Sequence, residues 1–180
     1  YEVQGDGWQG AMTYSNFTKP VWRWFYSEAK EKVRAKTQPN SLLPGFTWVD
    51  GRQTGDGREL VASYQQFIAA FPWHVRLCNM NPLDTHDIPR FKTYAPDGSQ
   101  KVAAAMQFTF PGIPVIWAGD EFGLDGFNGE HSRSPLPWNG ELPTDKTLIK
   151  AYAELAKVRK ENSALNDGSM RFVYASAEAI

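Results

Sequence analysis

One short segment carries the residue types and spacing best suited to chemistry: Asp84, Thr85, His86, Asp87, Ile88, Pro89 and Arg90. An imidazole beside a carboxylate can hydrogen-bond hydroxyl groups, and the carboxylate can stabilise positive charge that develops in a transition state. The segment also fits a capped turn with a surface ion pair to Arg90. A third interpretation makes His86 and Asp87 a phosphohydrolase metal doublet, but His74 and His131 lack ligand spacing, so we expect no metal.

Other nucleophile and phosphate signals are weak. Cys78, the single cysteine, lies four residues from His74 on a predicted strand. A thiol within an apolar strand is more often buried and inert. No serine occupies a G-x-S-x-G elbow, and Gly5 and Gly7 lack the further glycine and the helix of a phosphate loop.

The elements that must position the 84–90 segment alternate between strand and helix. The patterns predict strands over 10–14, 74–79 and 114–118, and helices over about 18–33, 60–71, 99–110 and 146–161. Such alternation predicts parallel βαβ units. The carboxyl ends of parallel strands meet at one edge, which would gather the polar residues that follow each strand: Tyr14, Asn16, Asp84, His86, Asp87, Arg90, Asp120 and Glu121. A small doubly wound sheet and part of a (β/α)₈ barrel both fit.

The composition is that of an ordinary globular chain. Its 180 residues are 42% hydrophobic and 22% charged, and the net charge is -1. Neither nucleic acid nor a membrane is therefore an expected partner, and one cysteine excludes an intrachain disulfide. The chain begins at Tyr1 without Met and ends in a strand-like stretch over 171–176, so we interpret it as a fragment. Its compartment stays open, with the cytoplasm favoured.

Four segments resemble, in the right order, motifs of the α-amylase family of glycoside hydrolases. Residues 10–14 resemble the sixth-strand segment, 79–91 the fourth signature region, 110–123 the eighth-strand segment, and 132–138 the R-x-P-M-P-W motif that follows. Thr13 and the pair Glu130 and His131 depart from the usual pattern, which bears on substrate detail. The order of segments is most similar to the neopullulanase, cyclomaltodextrinase and oligo-α-glucosidase branch.

The resemblance implies an α/β fold that is a partial (β/α)₈ TIM barrel. Residues 1–168 would form its last three βα units, strands six to eight with their helices, and 169–180 would begin a C-terminal β-domain. The family cleaves α-glucosidic bonds with retention, using a nucleophile, an acid/base and a third carboxylate. An α-glucan or maltooligosaccharide is thus the expected substrate. A transglycosylase, or a non-catalytic carbohydrate-binding homologue, is the alternative.

The resemblance also implies roles for single residues. Asp87 matches the carboxylate that stabilises the transition state, and His86, Tyr14 and Arg90 would bind substrate. The nucleophile and the acid/base would precede Tyr1, and the conformational motif that contains Glu121 has no catalytic duty. We therefore expect the fragment alone to be inactive and to self-associate or pair with the missing half of the barrel. No cofactor is expected, although calcium is possible in the full-length enzyme.

One further expectation concerns the loop after the predicted eighth strand. Arg133, Pro135, Pro137 and Trp138 are expected to be mainly structural. Two prolines fix backbone dihedrals, and an arginine near a tryptophan can form a stacked pair. These residues would then anchor the loop.

Overall fold

The computed structural model describes residues 7–25, 55–140 and 144–180. Its helices are Lys19–Phe25 (α1), Gly57–Ile68 (α2), Trp73–Cys78 (α3), Phe91–Tyr94 (α4), Ser99–Thr109 (α5), Gly129–Ser132 (α6) and Lys146–Glu161 (α7), and its strands are Met80–Pro82 (β1) and Ile113–Val115 (β2). A π-helical turn, Tyr14–Thr18, leads into α1, and a 3₁₀ turn, Ser163–Leu165, follows α7. None of these described helices has the length and apolar character to span a membrane.

The sheet is parallel and is built around β1. Met80 pairs with Ile113 and Pro82 pairs with Val115. Met12 adds one parallel bridge to Met80. Helices α4 and α5 lie between the two strands in the chain, so this part of the molecule is a βαβ unit. The parallel unit predicted from the alternation of elements is confirmed here.

Local sequence signals explain where the longer helices begin. Asp56 and Glu59 form a reciprocal capping box at α2, and the Asp145 carboxylate accepts two backbone N–H groups at the start of α7. Helix α7 has the predicted bounds. Ser99, a plausible capping residue by type, is instead the first residue of α5. The cap is Gly98, whose φ of 84° lies in the left-handed region that favours glycine.

The strand predicted over 74–79 is wrong, because this segment is helix α3. The backbone N–H groups of Val75 and Arg76 both donate to the Pro72 carbonyl at 3.1 Å. The Arg76 side chain lies over the Trp73 ring, 5.9 Å from its centroid. Only Val75 is buried in α3, so the two-residue alternation of a half-buried strand is absent. Cys78 consequently lies exposed at a helix end, not buried in a strand.

The strand predicted over 10–14 is reduced to the single bridge at Met12. The chain leaves the sheet there because the Thr13 carbonyl accepts the N–H groups of Phe17 and Thr18, which closes the π-helical turn. The helix predicted over 18–33 is confirmed for Lys19–Phe25, and its remainder lies outside the described residues.

Two apolar clusters hold these elements together. The larger joins α1, α2 and the region after β1, and Trp22 packs edge-on against Phe91 at 5.7 Å within it. The smaller lies between α5 and α7 and includes Phe108 and Tyr152. Burying a large apolar side chain contributes about 1.5–3 kcal/mol. The Trp22 indole also donates to the Leu83 carbonyl at 2.6 Å, which ties the core to the end of β1.

The last residues pack onto the larger core without forming a strand. Met170, Phe172 and Ile180 contact it as partly buried side chains. The Ala177 carbonyl accepts from the Gly57 backbone N–H at 3.1 Å and from the Trp24 indole at 2.8 Å. The stretch 171–176, strand-like in sequence, is therefore irregular backbone among the described residues, and the chain that follows it is tied to the start of α2.

Candidate functional site

His86 and Asp87 project from the turn that follows β1. The His86 Nε2 atom lies 3.1 Å from the Asp87 Oδ1 atom, and the two side chains are 53% and 60% exposed. The Asp87 backbone N–H donates to the buried Thr85 hydroxyl at 3.2 Å. The turn thus presents a carboxylate and an imidazole at the carboxyl end of a parallel strand, where α/β folds place their sites.

Tyr14 joins the base of this site through Thr85. Its phenol oxygen lies 2.8 Å from the Thr85 hydroxyl, and its side chain is half-buried. Tyr14 follows the Met12 bridge, so it reaches the same edge of the sheet as His86. Asn16, also expected at this edge, is buried in the π-helical turn.

Arg133 also belongs to this group, although the sequence predicted a structural role for it. Its Nη2 atom lies 3.9 Å from Asp87 Oδ1, and its Nε donates to the His86 carbonyl at 3.2 Å. A Cβ atom added to Gly129 would lie 3.0 Å from the His86 carbonyl oxygen, so a glycine there lets α6 approach the turn. The signal available in the sequence was the position of Arg133 within the 132–138 motif, which follows the eighth-strand segment.

An aromatic ring completes the group. The Trp117 ring centroid lies 5.8 Å from that of His86, with the planes inclined by 53°. Trp117, His86 and Arg133 line an open cavity of about 420 Å³ with Ala118, Ser134 and Leu136. An apolar ring beside several hydrogen-bonding groups is suited to a neutral polyhydroxy ligand, which has both apolar faces and hydroxyl edges.

Arg90 is buried and not at the surface, where the sequence predicted it. It is fully buried, its Nη1 atom lies 2.8 Å from Asp120 Oδ1, and its Nη2 atom donates to the carbonyls of Ala118 and Ser132 at 2.9 Å. It therefore forms a buried ion pair, not a surface ion pair at the His86–Asp87 turn. The expectation that Arg90 binds substrate also conflicts with this burial, because its guanidinium presents no surface to a ligand.

Two of the acidic residues expected at the strand ends are buried beneath the site. Asp84 accepts the Phe91 backbone N–H at 2.6 Å, and its carboxyl group lies next to that of Asp120. Burial raises the pKa of Asp84. Burial and the neighbouring Asp84 carboxyl raise the pKa of Asp120 well above its usual range, while Arg90 opposes the rise. The two carboxyl groups therefore hold a proton to higher pH than exposed aspartates do.

The Glu121 carboxylate stabilises the loop in which it lies. One carboxylate oxygen accepts the Gly119 backbone N–H at 2.8 Å. Gly119 has a φ of 112°, and a Cβ atom there would lie 2.9 Å from the Arg90 guanidinium, so only glycine allows this approach. This use of the carboxylate is a conformational one.

Trp138 does not anchor the loop by packing. Its side chain is 77% exposed. Among the described residues Arg133 turns toward His86 and Asp87, and no stacked pair with Trp138 forms. A ring in water contributes little packing energy, so the expected structural role of Trp138 is not supported.

The assembled groups can bind hydroxyl groups and stabilise positive charge. They comprise the Asp87 carboxylate, the His86 imidazole, the Arg133 guanidinium and the Trp117 ring. Across the described ranges, no three His, Cys, Asp or Glu side chains come close enough together to hold a metal ion.

Comparison with known proteins indicates the same family as the sequence motifs. Residues 53–141 match the family model described as "Alpha amylase, catalytic domain". A cyclomaltodextrinase from Bacillus sp is 33% identical over 84% of this chain and 27% of its own length. Neopullulanase 2 from Thermoactinomyces vulgaris is 34% identical over 86% of this chain and 31% of its own length. The chain thus spans about a third or less of the length of these relatives.

Solved structures share the fold. A cyclomaltodextrinase structure superposes with a TM-score of 0.72 at 28% identity, over 96% of this chain and 25% of that one. A Thermus thermophilus protein superposes with a TM-score of 0.77 at 23% identity, over 97% of this chain and 35% of that one. The chain belongs to the α-amylase family of glycoside hydrolases, a TIM-barrel family.

Proposed function

We propose that this chain supplies the transition-state-stabilising carboxylate and its neighbouring sugar-binding groups to a retaining α-glucan hydrolase. The observation that carries the proposal is the exposed His86–Asp87 pair at the carboxyl end of β1, with Arg133 close to the same carboxylate oxygen. Retaining hydrolysis passes through an oxocarbenium-like state, and a fixed negative charge nearby lowers its free energy.

We assign a role to each side chain of the group. Asp87 faces the developing positive charge. His86 and Arg133 donate hydrogen bonds to the sugar hydroxyls, and the Trp117 ring supplies an apolar face beside them. Tyr14 supports the turn through Thr85, and substrate binding by its phenol is part of the proposal. The nucleophile and the acid/base come from the part of the barrel that precedes this chain in the family.

The barrel placement is part of the proposal. The Met12 bridge, β1 and β2 correspond to strands six, seven and eight, residues 1–168 to the end of the catalytic barrel, and 169–180 to the start of a C-terminal β-domain. Support comes from a row of apolar side chains across the three strand positions: Met12, Met80 and Ile113 are 38%, 36% and 48% exposed. Such a row suits a barrel interior that other strands complete.

The substrate class follows from the group and from the relatives. Hydrogen-bonding groups whose charges balance, placed beside an aromatic ring, suit a sugar better than an anion or a purely apolar ligand. The matched relatives are named for cyclomaltodextrin hydrolysis and for pullulan hydrolysis. We therefore propose maltooligosaccharides and related α-glucans as the substrates of the full-length protein.

Product analysis with the full-length protein tests this proposal. The protein is incubated with maltooligosaccharides and with a cyclomaltodextrin, and the released sugars and their anomeric form are followed. We expect shorter sugars that keep the α-configuration. Longer transfer products in place of net hydrolysis would identify a transglycosylase. Binding without any cleavage would identify a non-catalytic homologue and contradict the proposal.

A further inference from the structure

The buried Arg90 guanidinium connects three segments that surround the site. Its Nη1 atom lies 2.8 Å from Asp120 Oδ1. Its Nη2 atom donates to the carbonyls of Ala118 and Ser132, and its backbone N–H donates to the Gly126 carbonyl. A guanidinium is planar and carries five donors in a fixed fork, so these contacts fix both the spacing and the orientation of the segments.

Two routes lead from Arg90 to the exposed groups. The guanidinium carbon lies 5.9 Å from the centroid of the Trp117 ring, which packs against His86. The Trp117 indole and the Arg90 guanidinium donate to the same carbonyl, that of Ser132. Arg133 follows immediately in the chain and donates to the His86 carbonyl. The Trp117 ring therefore lies beside Arg90, and Arg133 follows the residue whose carbonyl Arg90 binds. Both Trp117 and Arg133 contact His86.

The charge balance around Arg90 requires a proton. Asp84 and Asp120 are 1% and 2% exposed, and together with Arg90 they would bury a net negative charge if both were ionised. Asp84 Oδ2 accepts a backbone N–H, whereas its Oδ1 finds no donor among the described residues. A proton between Oδ1 and the Asp120 carboxyl group satisfies this oxygen. Placing that proton on Asp84 keeps Asp120 ionised against Arg90. Tyr152 and Glu121 are the neighbouring titratable groups: burial, and then the charges of Asp120, Asp84 and Glu121, raise the pKa of the Tyr152 phenol.

We propose that Arg90 is a positioning residue for the sugar-binding group, and that it acts while Asp84 and Asp120 share one proton. Arg90 touches no substrate. It fixes the position of the Trp117 ring and of the Ser132 carbonyl, which precedes Arg133 in the chain. Through these two contacts it orients His86. The catalytic consequence rests on the proposed function, whereas the positioning does not.

The first test compares Arg90→Lys with Arg159→Lys in the full-length protein. Arg159 is a matched control because its guanidinium donates to the carbonyls of Phe108 and Gly112, at the opposite end of β2. We expect both variants to lower the melting temperature. Only Arg90→Lys should lower kcat, by roughly 10- to 100-fold, because small displacements of aligned groups slow the reaction strongly. Each variant is assayed at the same number of degrees below its own melting temperature. Equal kcat losses in the two variants would overturn the proposal.

A second readout is independent of activity. The imidazole proton resonances of His86, assigned by their loss in His86→Gln, report the ring current of the neighbouring Trp117. We expect Arg90→Lys to shift them and Arg159→Lys to leave them in place. Unshifted resonances in Arg90→Lys would overturn the positioning role. A shift in a protein that cleaves no α-glucan would uphold positioning and refute the proposed function.

The shared proton is tested by two isosteric changes. The amide introduced by Asp84→Asn can donate to Asp120 as the proton does, so this variant should keep kcat within about twofold. Asp120→Asn removes the charge that faces Arg90 and should lower kcat by roughly tenfold or more, because a buried cation then lacks its partner. Equal losses in the two variants, or a larger loss in Asp84→Asn, would refute the assignment of the proton.

Discussion

The His86 Nε2 atom lies 3.1 Å from Asp87 Oδ1, and Arg133 approaches that same oxygen at 3.9 Å from the opposite loop. Two nitrogen atoms from separate segments therefore converge on one exposed carboxylate oxygen. This convergence holds the carboxylate in one orientation, between the imidazole and the guanidinium. It also links the turn after β1 to the loop after β2, which are the two sides of the site.

Asp87→Asn should lower turnover of the full-length enzyme while leaving its fold intact. The amide keeps the shape of the carboxylate but removes its charge, which matters most as the oxocarbenium ion forms. We therefore expect kcat to fall by about 100-fold or more and KM to change little. Steady-state kinetics and thermal unfolding measure the two effects. The control is Asp167→Asn, a change at an exposed aspartate away from the site. Unchanged turnover in Asp87→Asn would contradict the role.

Arg133→Met should act on substrate binding more than on stability. The side chain is half exposed, and ion pairs at the surface contribute only about 0–1 kcal/mol, so the melting temperature should barely move. Loss of its donors to sugar hydroxyls should raise KM severalfold. Arg171→Met, another exposed arginine, serves as the control in the same kinetic assay. If Arg133→Met lowers the melting temperature strongly and spares KM, the structural role predicted from the sequence is the correct one.

Trp138→Ala and Trp22→Ala should differ sharply in stability. Trp22 is 3% exposed and donates to the Leu83 carbonyl, so its truncation should cost about 3–5 kcal/mol of unfolding free energy. Trp138 is exposed, and its truncation should leave the unfolding free energy within about 0.5 kcal/mol. Chemical denaturation of both variants measures this. A cost for Trp138 similar to that for Trp22 would show that the exposed ring packs after all.

The Asp84–Asp120 pair should make the folded protein less stable as the pH rises. Burial raises the pKa of both carboxyls above the value of about 3.9 for an unfolded aspartate. The folded protein thus holds a proton that the unfolded chain has released. This contribution is fully present below the unfolded pKa and is lost as the pH rises from about 4 through the raised pKa of the pair.

Asp84→Asn removes this titration and provides the measurement. The advantage of wild type over the variant in unfolding free energy should shrink as the pH increases above about 4, at up to about 1.4 kcal/mol per pH unit. Urea denaturation at several pH values gives the difference directly. Asp167→Asn controls for the loss of an exposed carboxylate. A difference that is constant with pH would exclude a shared proton.

The 180 residues alone should hydrolyse no glycosidic bond and should self-associate. Retaining hydrolysis needs a nucleophile and an acid/base about 5 Å apart, and the family places both in earlier strands. The apolar row at Met12, Met80 and Ile113 is exposed and favours association. Light scattering should show a dimer or larger species. Ile113→Glu should reduce it, and Val173→Glu, at a position off the row, should not. A stable monomer that cleaves maltooligosaccharides would refute this prediction.

Local sequence determined the elements whose signals lie within a few residues of each other. Helix α7 has an apolar stripe at helical spacing and a capping Asp145, and its predicted bounds are the observed ones. The His86–Asp87 pair was also recognisable, because the two residues are adjacent and lie within a specific motif. Residues 74–79 show the limit of such reasoning, since a short apolar run is compatible with strand and helix alike, and packing selected the helix α3.

Tertiary structure alone decided which charged residues face the cleft. Arg90 was expected at the surface, yet it is buried against Asp120, which lies 30 residues along the chain. Arg133 was expected to be structural, yet it reaches the carbonyl of His86 across 47 residues. Periodicity and turn chemistry act over one or two turns of chain, whereas burial and ion pairing depend on which distant segments meet. The sequence therefore identified the carboxylate of the site, and the packing of three loops around Arg90 determined its partners.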